Sequence, residues 1–328
     1  MKTSTILKVA LSMIAAVAFS FSTVQAENIE WSAGSVGGSW FSAVTGLSKI
    51  VTDENKDLHI RIVPGGGRDN PSKIAGGISQ IALGIDFLAA AALKGEPPYK
   101  APAENLRTLG GTWMTTQFHV IVPVDEKRTM SEIFSDPKIR VGSPPRATSE
   151  SLTLIRVLDY YNNPINTIKK SGGKVIHASY SQLISAYQNK QVDVIFGCGT
   201  APTGIALEVE AGRRQGKLIP FPEKLMTELN KNYGYGISKI AAGSYKKLQT
   251  EGGPDIPVTV MGTVILVDSK LSDKLVYRIM KSLLKNQDQF KNIHAALTGF
   301  DPKLAWQNPP VPLHSGAERA YRELGYMN

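Results

Sequence analysis

Short apolar runs alternate with helical stretches along most of this chain, and that alternation limits the folds open to it. The runs fall at 60–63, 81–85, 118–122, 139–141, 192–196 and 258–267. Between them apolar residues recur at helical spacing: Trp40, Val44, Leu47 and Val51, then Leu152, Ile155 and Leu158, then Leu275, Ile279, Met280 and Leu283. Strands alternating with helices predict an α/β fold with mostly parallel sheets. The runs at 118–122 and 258–267 are each followed by a new series of elements, which marks them as crossings between two lobes. Residues 27–121 with 262–328 then form one discontinuous lobe and 122–261 the other. Ligands of such sheets gather at the C-terminal strand ends, over helix N-termini, which here means the cleft between lobes. The last helix opens on a capping-box pattern, Ser315 to Glu318.

The first 26 residues read as a secretory signal peptide. Lys2 and Lys8 give a basic start, 9–21 is mostly apolar, and Val24-Gln25-Ala26 supplies small residues for cleavage after Ala26. The apolar stretch falls short of the roughly 20 residues a membrane span needs. The next apolar run, 81–93, is short and carries Asp86, so no stable membrane insertion of the mature chain is predicted. The formal net charge is +9, falling to +7 once Lys2 and Lys8 leave with the leader. That balance favours small anionic ligands by long-range attraction. The basic residues are scattered, with clusters no larger than the pair Lys246-Lys247, which argues against a nucleic-acid partner. Cys198 is the only cysteine, so no intramolecular disulfide can form and burial alone must hold the core.

Four loops carry the candidate chemistry. In the first, Ser35-Val36-Gly37-Gly38-Ser39-Trp40-Phe41 runs from a short strand through a glycine turn into a helix. Backbone N–H groups at such a helix start can hold a carboxylate. Ser35, Ser39 and Trp40 add hydroxyls and a stacking surface; a plain tight turn over a packed Trp40 is the alternative. The second loop, Pro64 to Pro71, offers Arg68 and Asn70 as ligand contacts, and Asn70 before Pro71 reads first as a helix N-cap. The third runs Ser143-Pro144-Pro145-Arg146-Ala147-Thr148. There Arg146 could pair with a carboxylate bidentately, Ser143 and Thr148 read as ligand contacts, and Thr148 could also cap the following helix. The fourth, Cys198-Gly199-Thr200-Ala201-Pro202-Thr203, follows an apolar strand; Cys198 reads as a small buried thiol and Thr200 as a ligand hydroxyl. Asp86 reads as a helix cap, with a ligand ammonium as the alternative. The five histidines lack metal-ligand spacing, and neither a nucleotide loop nor a nucleophile elbow occurs, so no metal or cofactor is expected.

In order, S-x-G-G-x-W, G-G-x-x-x-N, V-G-S-P-x-x-x-T, G-T-A-P-T-G and the ending Pro312-Leu313-His314-Ser315-Gly316-Ala317 resemble the TAXI family, solute-binding proteins of one class of TRAP transporters. The resemblance covers nearly the whole mature chain. It implies a periplasmic, two-lobed binding protein of the type II, Venus-flytrap kind, with a hinged cleft and no enzymatic activity. Such a protein would deliver a small organic anion, such as a dicarboxylate, 2-oxoglutarate or a glutamate-like ligand, to an ion-gradient-driven membrane permease. The family's first-loop contacts fall on Ser35, Gly37, Gly38 and Trp40. Its mid-chain loop G-A-P-G-S-G-T is matched by Gly142 to Thr148, where Pro145 and Ala147 replace two glycines and Arg146 is added. Two other readings stand beside this one. A secreted α/β enzyme would use Cys198 with a histidine, and a ligand-sensing partner of a sensor kinase would use the same cleft.

Overall fold

The computed structural model describes residues 27–328, so the predicted signal peptide lies outside the described residues. The first part of the chain forms β1 (Glu27–Ser32), α1 (Ser39–Glu54), β2 (Leu58–Val63), α2 (Asn70–Ala75), β3 (Ile81–Ile85), α3 (Asp86–Lys94) and β4 (Leu106–Thr108). Next come β5 (Thr115–Pro123), α4 (Met130–Ser135), β6 (Arg140–Ser143), α5 (Ser149–Tyr160), α6 (Ile165–Lys170), β7 (Lys174–His177), α7 (Tyr180–Gln188) and β8 (Val194–Gly199). The chain continues through α8 (Gly204–Ala211), β9 (Gly216–Leu218), α9 (Glu223–Tyr233), β10 (Gly236–Ile240) and the long β11 (Ile256–Asp268). It ends with α10 (Asp273–Lys285), α11 (Phe290–Ile293), α12 (Pro302–Ala305) and α13 (Ser315–Glu323).

The strands follow the order β2-β1-β3-β11-β5-β8-β6-β7. The same plan therefore appears twice. In each half the first strand of a β-α-β-α-β series, with α6 added before β7 in the second, is flanked by the second and third in parallel, and a long antiparallel strand joins the third. β11 serves both halves: 256–262 pairs with β10 and β5, and 263–268 with β3 and β4. Side chains reinforce the ladder where it changes partner. Buried Thr263 accepts from the Met114 amide at 2.7 Å and donates to the Met114 carbonyl at 2.9 Å. Thr116 donates to the Met261 carbonyl. The α/β expectation is met, and all six apolar runs lie wholly or largely on strands.

Burial follows the pattern that set the fold. Trp31, Val44, Leu47 and Val51 are fully buried on one side of the chain, as are Leu158, Tyr187 and Phe196 on the other. α10 lays Leu275, Val276, Ile279, Met280 and Leu283 into the core beside α13. Sequestering each such side chain contributes roughly 1.5–3 kcal/mol before entropy is charged. No helix among the described residues is long and apolar enough to cross a membrane.

The expected capping box at Ser315 is not the cap observed. His314 caps α13, its Nδ1 accepting from the Gly316 amide at 3.2 Å while Nε2 donates to the Leu271 carbonyl at 3.1 Å. The imidazole one residue earlier reaches the free amide first, and the Ser315 hydroxyl turns to Asp273 instead.

Candidate functional site

The C-terminal ends of β1 and β6 occupy equivalent places in the two halves, and each feeds a loop into a helix aimed at the same space. β1 leads through 33–38 to α1, and β6 leads through 144–148 to α5. Between them is a cleft whose unoccupied space, its mouth included, is about 340 Å³. One side is lined by Gly34, Ser35, Gly38, Ser39, Trp40, Gly66 and Gly67, the other by Thr116, Thr148, Ser149, Glu150, Tyr180 and Cys198.

Both helix starts leave donors open. The α1 cap is Gly38, which brings no side-chain cap, so the amides of Ser39 and Trp40 have no acceptor among the described residues. On α5 the Thr148 hydroxyl accepts from Ser151 N and leaves the Ser149 and Glu150 amides without one. Two helices of 16 and 12 residues thus direct their positive ends at one cavity. Trp40 also lines this space; the residue is 9% exposed and its buried Nε1–H has no hydrogen-bond partner among the described residues. Gly37 turns the chain into α1 at φ +82°, a left-handed conformation that a side chain would strain.

The far wall is polar but carries no cation. Glu150 Oε1 accepts from the Tyr180 hydroxyl at 2.9 Å and Oε2 from the Ser149 hydroxyl at 3.1 Å. The Cys198 thiol lies against the same carboxylate. Burial first, then the neighbouring Glu150 charge, holds that thiol well above the usual thiol range. Such a thiol stays protonated, the opposite of what nucleophilic attack requires. No histidine lines the cavity: His119 is buried between the Gln117 carbonyl and the Tyr245 hydroxyl, and His177 turns to the Pro144 carbonyl.

The two halves also touch directly at the rim. The Asp69 amide donates to the Ala147 carbonyl at 3.1 Å, and an Arg68 guanidinium N–H donates to the Arg146 carbonyl at 3.4 Å. A Cβ on Gly66 would lie 2.5 Å from the Ala147 carbonyl oxygen, so only glycine permits this approach.

Among the residues expected to bind ligand, the cleft brings together Ser35, Gly38, Ser39, Trp40 and Thr148. Gly37 shapes the turn behind them. Arg146 is exposed, Arg68 sits at the rim, and Thr200 donates to the Thr115 carbonyl; none of the three lines the cavity. Ser143 is fully buried at the end of β6, with a hydroxyl that has no partner. Asn70 is not the N-cap that its place before Pro71 suggested. Asp69 precedes α2, and Asn70 is its first residue. Its amide group donates to the Ala33 and Leu83 carbonyls and accepts from Gly66 N, tying the ends of β1 and β3 to the glycine loop. That bridging use of the side chain is why it does not cap. Asp86 opens α3 and accepts from the Phe87 amide at 2.7 Å and from Gly262 on β11; burial pushes its carboxyl up to about 6.

Sequence reasoning missed Glu150 and Tyr180 as cavity residues. Glu150 stood two places beyond Thr148, in the first turn of a helix already read there. Tyr180 follows Ser179, whose pairing with Gln182 is a capping box, but nothing in that pattern shows which helix start faces a cleft.

The chain matches the NMT1-like family over residues 32–325. Among solved structures, the periplasmic binding protein BugD is similar with a TM-score of 0.52 at 10% identity, covering 92% of this chain and 98% of that one. A structure described as a periplasmic transporter is similar with a TM-score of 0.52 at 11% identity, covering 91% and 94%. At these identities the likeness establishes the fold, that of two-lobed periplasmic binding proteins.

Proposed function

Because this chain belongs to the NMT1-like family, we propose that it is an extracytoplasmic solute-binding protein that captures a small organic anion between its two halves. It hands that ligand to a membrane transporter. The observation that carries this reading is the convergence of the α1 and α5 N-termini on one cavity, with four amides and the Trp40 indole N–H lacking acceptors. Hydrogen bonds from such donors to a carboxylate are charge-assisted, and exclusion of water strengthens them. The ordered loop motifs favour the TAXI class and hence a TRAP-type permease as the partner, with the leader directing export to the periplasm.

Capture needs no bond making. We place the lobes at 27–121 with 262–328 and at 122–261. Pairing of β5 with β8 from Gln117 onward favours a first crossing a few residues before that boundary. The hinge then lies where Thr263 clasps Met114. A carboxylate bridging both helix starts binds the closed form better than the open one and shifts the equilibrium toward closure. Thermal-shift measurement of the purified protein against a panel of small carboxylates tests the reading. Saturable stabilisation by one of them is expected, growing with concentration as binding to the folded state requires. Stabilisation only by neutral or purely cationic compounds would overturn it.

A further inference from the structure

An anion alone does not complete the cavity. Glu150 is 9% exposed and lines the cleft; the groups that hydrogen-bond to it, Tyr180, Ser149 and Cys198, are neutral, and it forms no ion pair among the described residues. None of the described residues lining the cavity is lysine, arginine or histidine. The Tyr180 hydroxyl is also committed elsewhere. It accepts from Cys198 N at 3.0 Å and lies 3.0 Å from the Cys198 carbonyl, so its single proton is contested between that carbonyl and Glu150. A carboxylate offers about four lone-pair directions, and a buried carboxylate without a counter-charge is costly. The cavity therefore holds two unmet requirements side by side. The amides of Ser39, Trp40, Ser149 and Glu150 and the Trp40 indole lack an acceptor among the described residues, and the Glu150 carboxylate lacks a cation.

We infer that the ligand carries an ammonium group beside its carboxylate, and that Glu150 receives this ammonium and sets the specificity of the site. Glu150 then selects an amino acid over the oxo acid of the same skeleton, because a carbonyl oxygen placed there would face the carboxylate with no proton between them. This rests on the reading that the cleft captures a small carboxylate, and it narrows that class.

Matched pairs test it by calorimetric titration of the purified protein: L-glutamate with 2-oxoglutarate, L-alanine with pyruvate, and L-phenylalanine with phenylpyruvate. For a pair that fits the cavity, the amino acid is expected to bind at least about tenfold tighter, the discrimination of a site built for a particular polar group. Glu150→Gln should lose most of that preference by weakening the amino acid, and Glu150→Asp should keep it. Thermal unfolding of each variant shows whether it folds, and the wild-type comparison stands without them. Oxo acids binding as tightly as their amino acids would overturn the inference while leaving carboxylate capture intact. Equal weakening of both members by Glu150→Gln, with the fold retained, would make Glu150 structural. Binding of neither member of any pair would count against both the inference and the capture reading on which it rests.

Discussion

Single residues decide both what the cleft can hold and what burial costs. His119 shows the cost. It is buried between the Gln117 carbonyl and the Tyr245 hydroxyl, and loss of solvation lowers its pKa from an ordinary value near 6.5 to about 4. Between those values the unfolded chain binds a proton that the folded chain refuses. The stability this contributes is complete above pH 6.5 and is lost as pH falls toward 4, a swing of about 3 kcal/mol. Asp86, pushed up to about 6, acts the other way over much of the same window, so the contrast must be drawn between variant and wild type at each pH. Urea unfolding at neutral pH and in mild acid makes that contrast. His119→Gln should lose about 2 kcal/mol less on acidification than the wild type. An identical loss in both proteins would place the acid sensitivity elsewhere.

Elements set how closely the halves approach. The glycine loop before α2 meets the loop before α5 across the cleft, and the Gly66 to Ala147 approach leaves no room for a Cβ. Gly66→Ala should therefore obstruct closure while leaving each half folded. Small-angle scattering should show wild-type contraction on addition of a stabilising carboxylate and little contraction in the variant. Affinity should fall at least tenfold, about 1.4 kcal/mol. A variant that contracts and binds like the wild type would mean that this contact does not govern closure. The elements themselves were legible in sequence, because strand and helix periodicities differ and the apolar runs follow them faithfully. Thr148 as the cap of α5 was equally readable, since capping is a local matter. The caps that failed were those where a tertiary demand competed. Asn70 was recruited to bridge two strands, and Ser315 gave way to a buried histidine one residue earlier.

The whole molecule determines what sequence could not: which residues from distant segments meet. Trp40, Gly66, Thr148 and Tyr180 come together only because the β-α-β-α-β plan is used twice and the two copies face each other. Side-chain direction likewise escaped the pattern. Arg146 lies in the right loop but remains exposed, while Glu150, four residues on, turns inward. The central claim is that a small carboxylate is held between the α1 and α5 N-termini. A crystal structure of the protein grown with a carboxylate that stabilises it tests this most directly. The account predicts ligand density in the cleft, with carboxylate oxygens within hydrogen-bond distance of the Ser39, Trp40 and Ser149 amides. Density for that ligand at another surface, with the cleft holding only solvent, would contradict it.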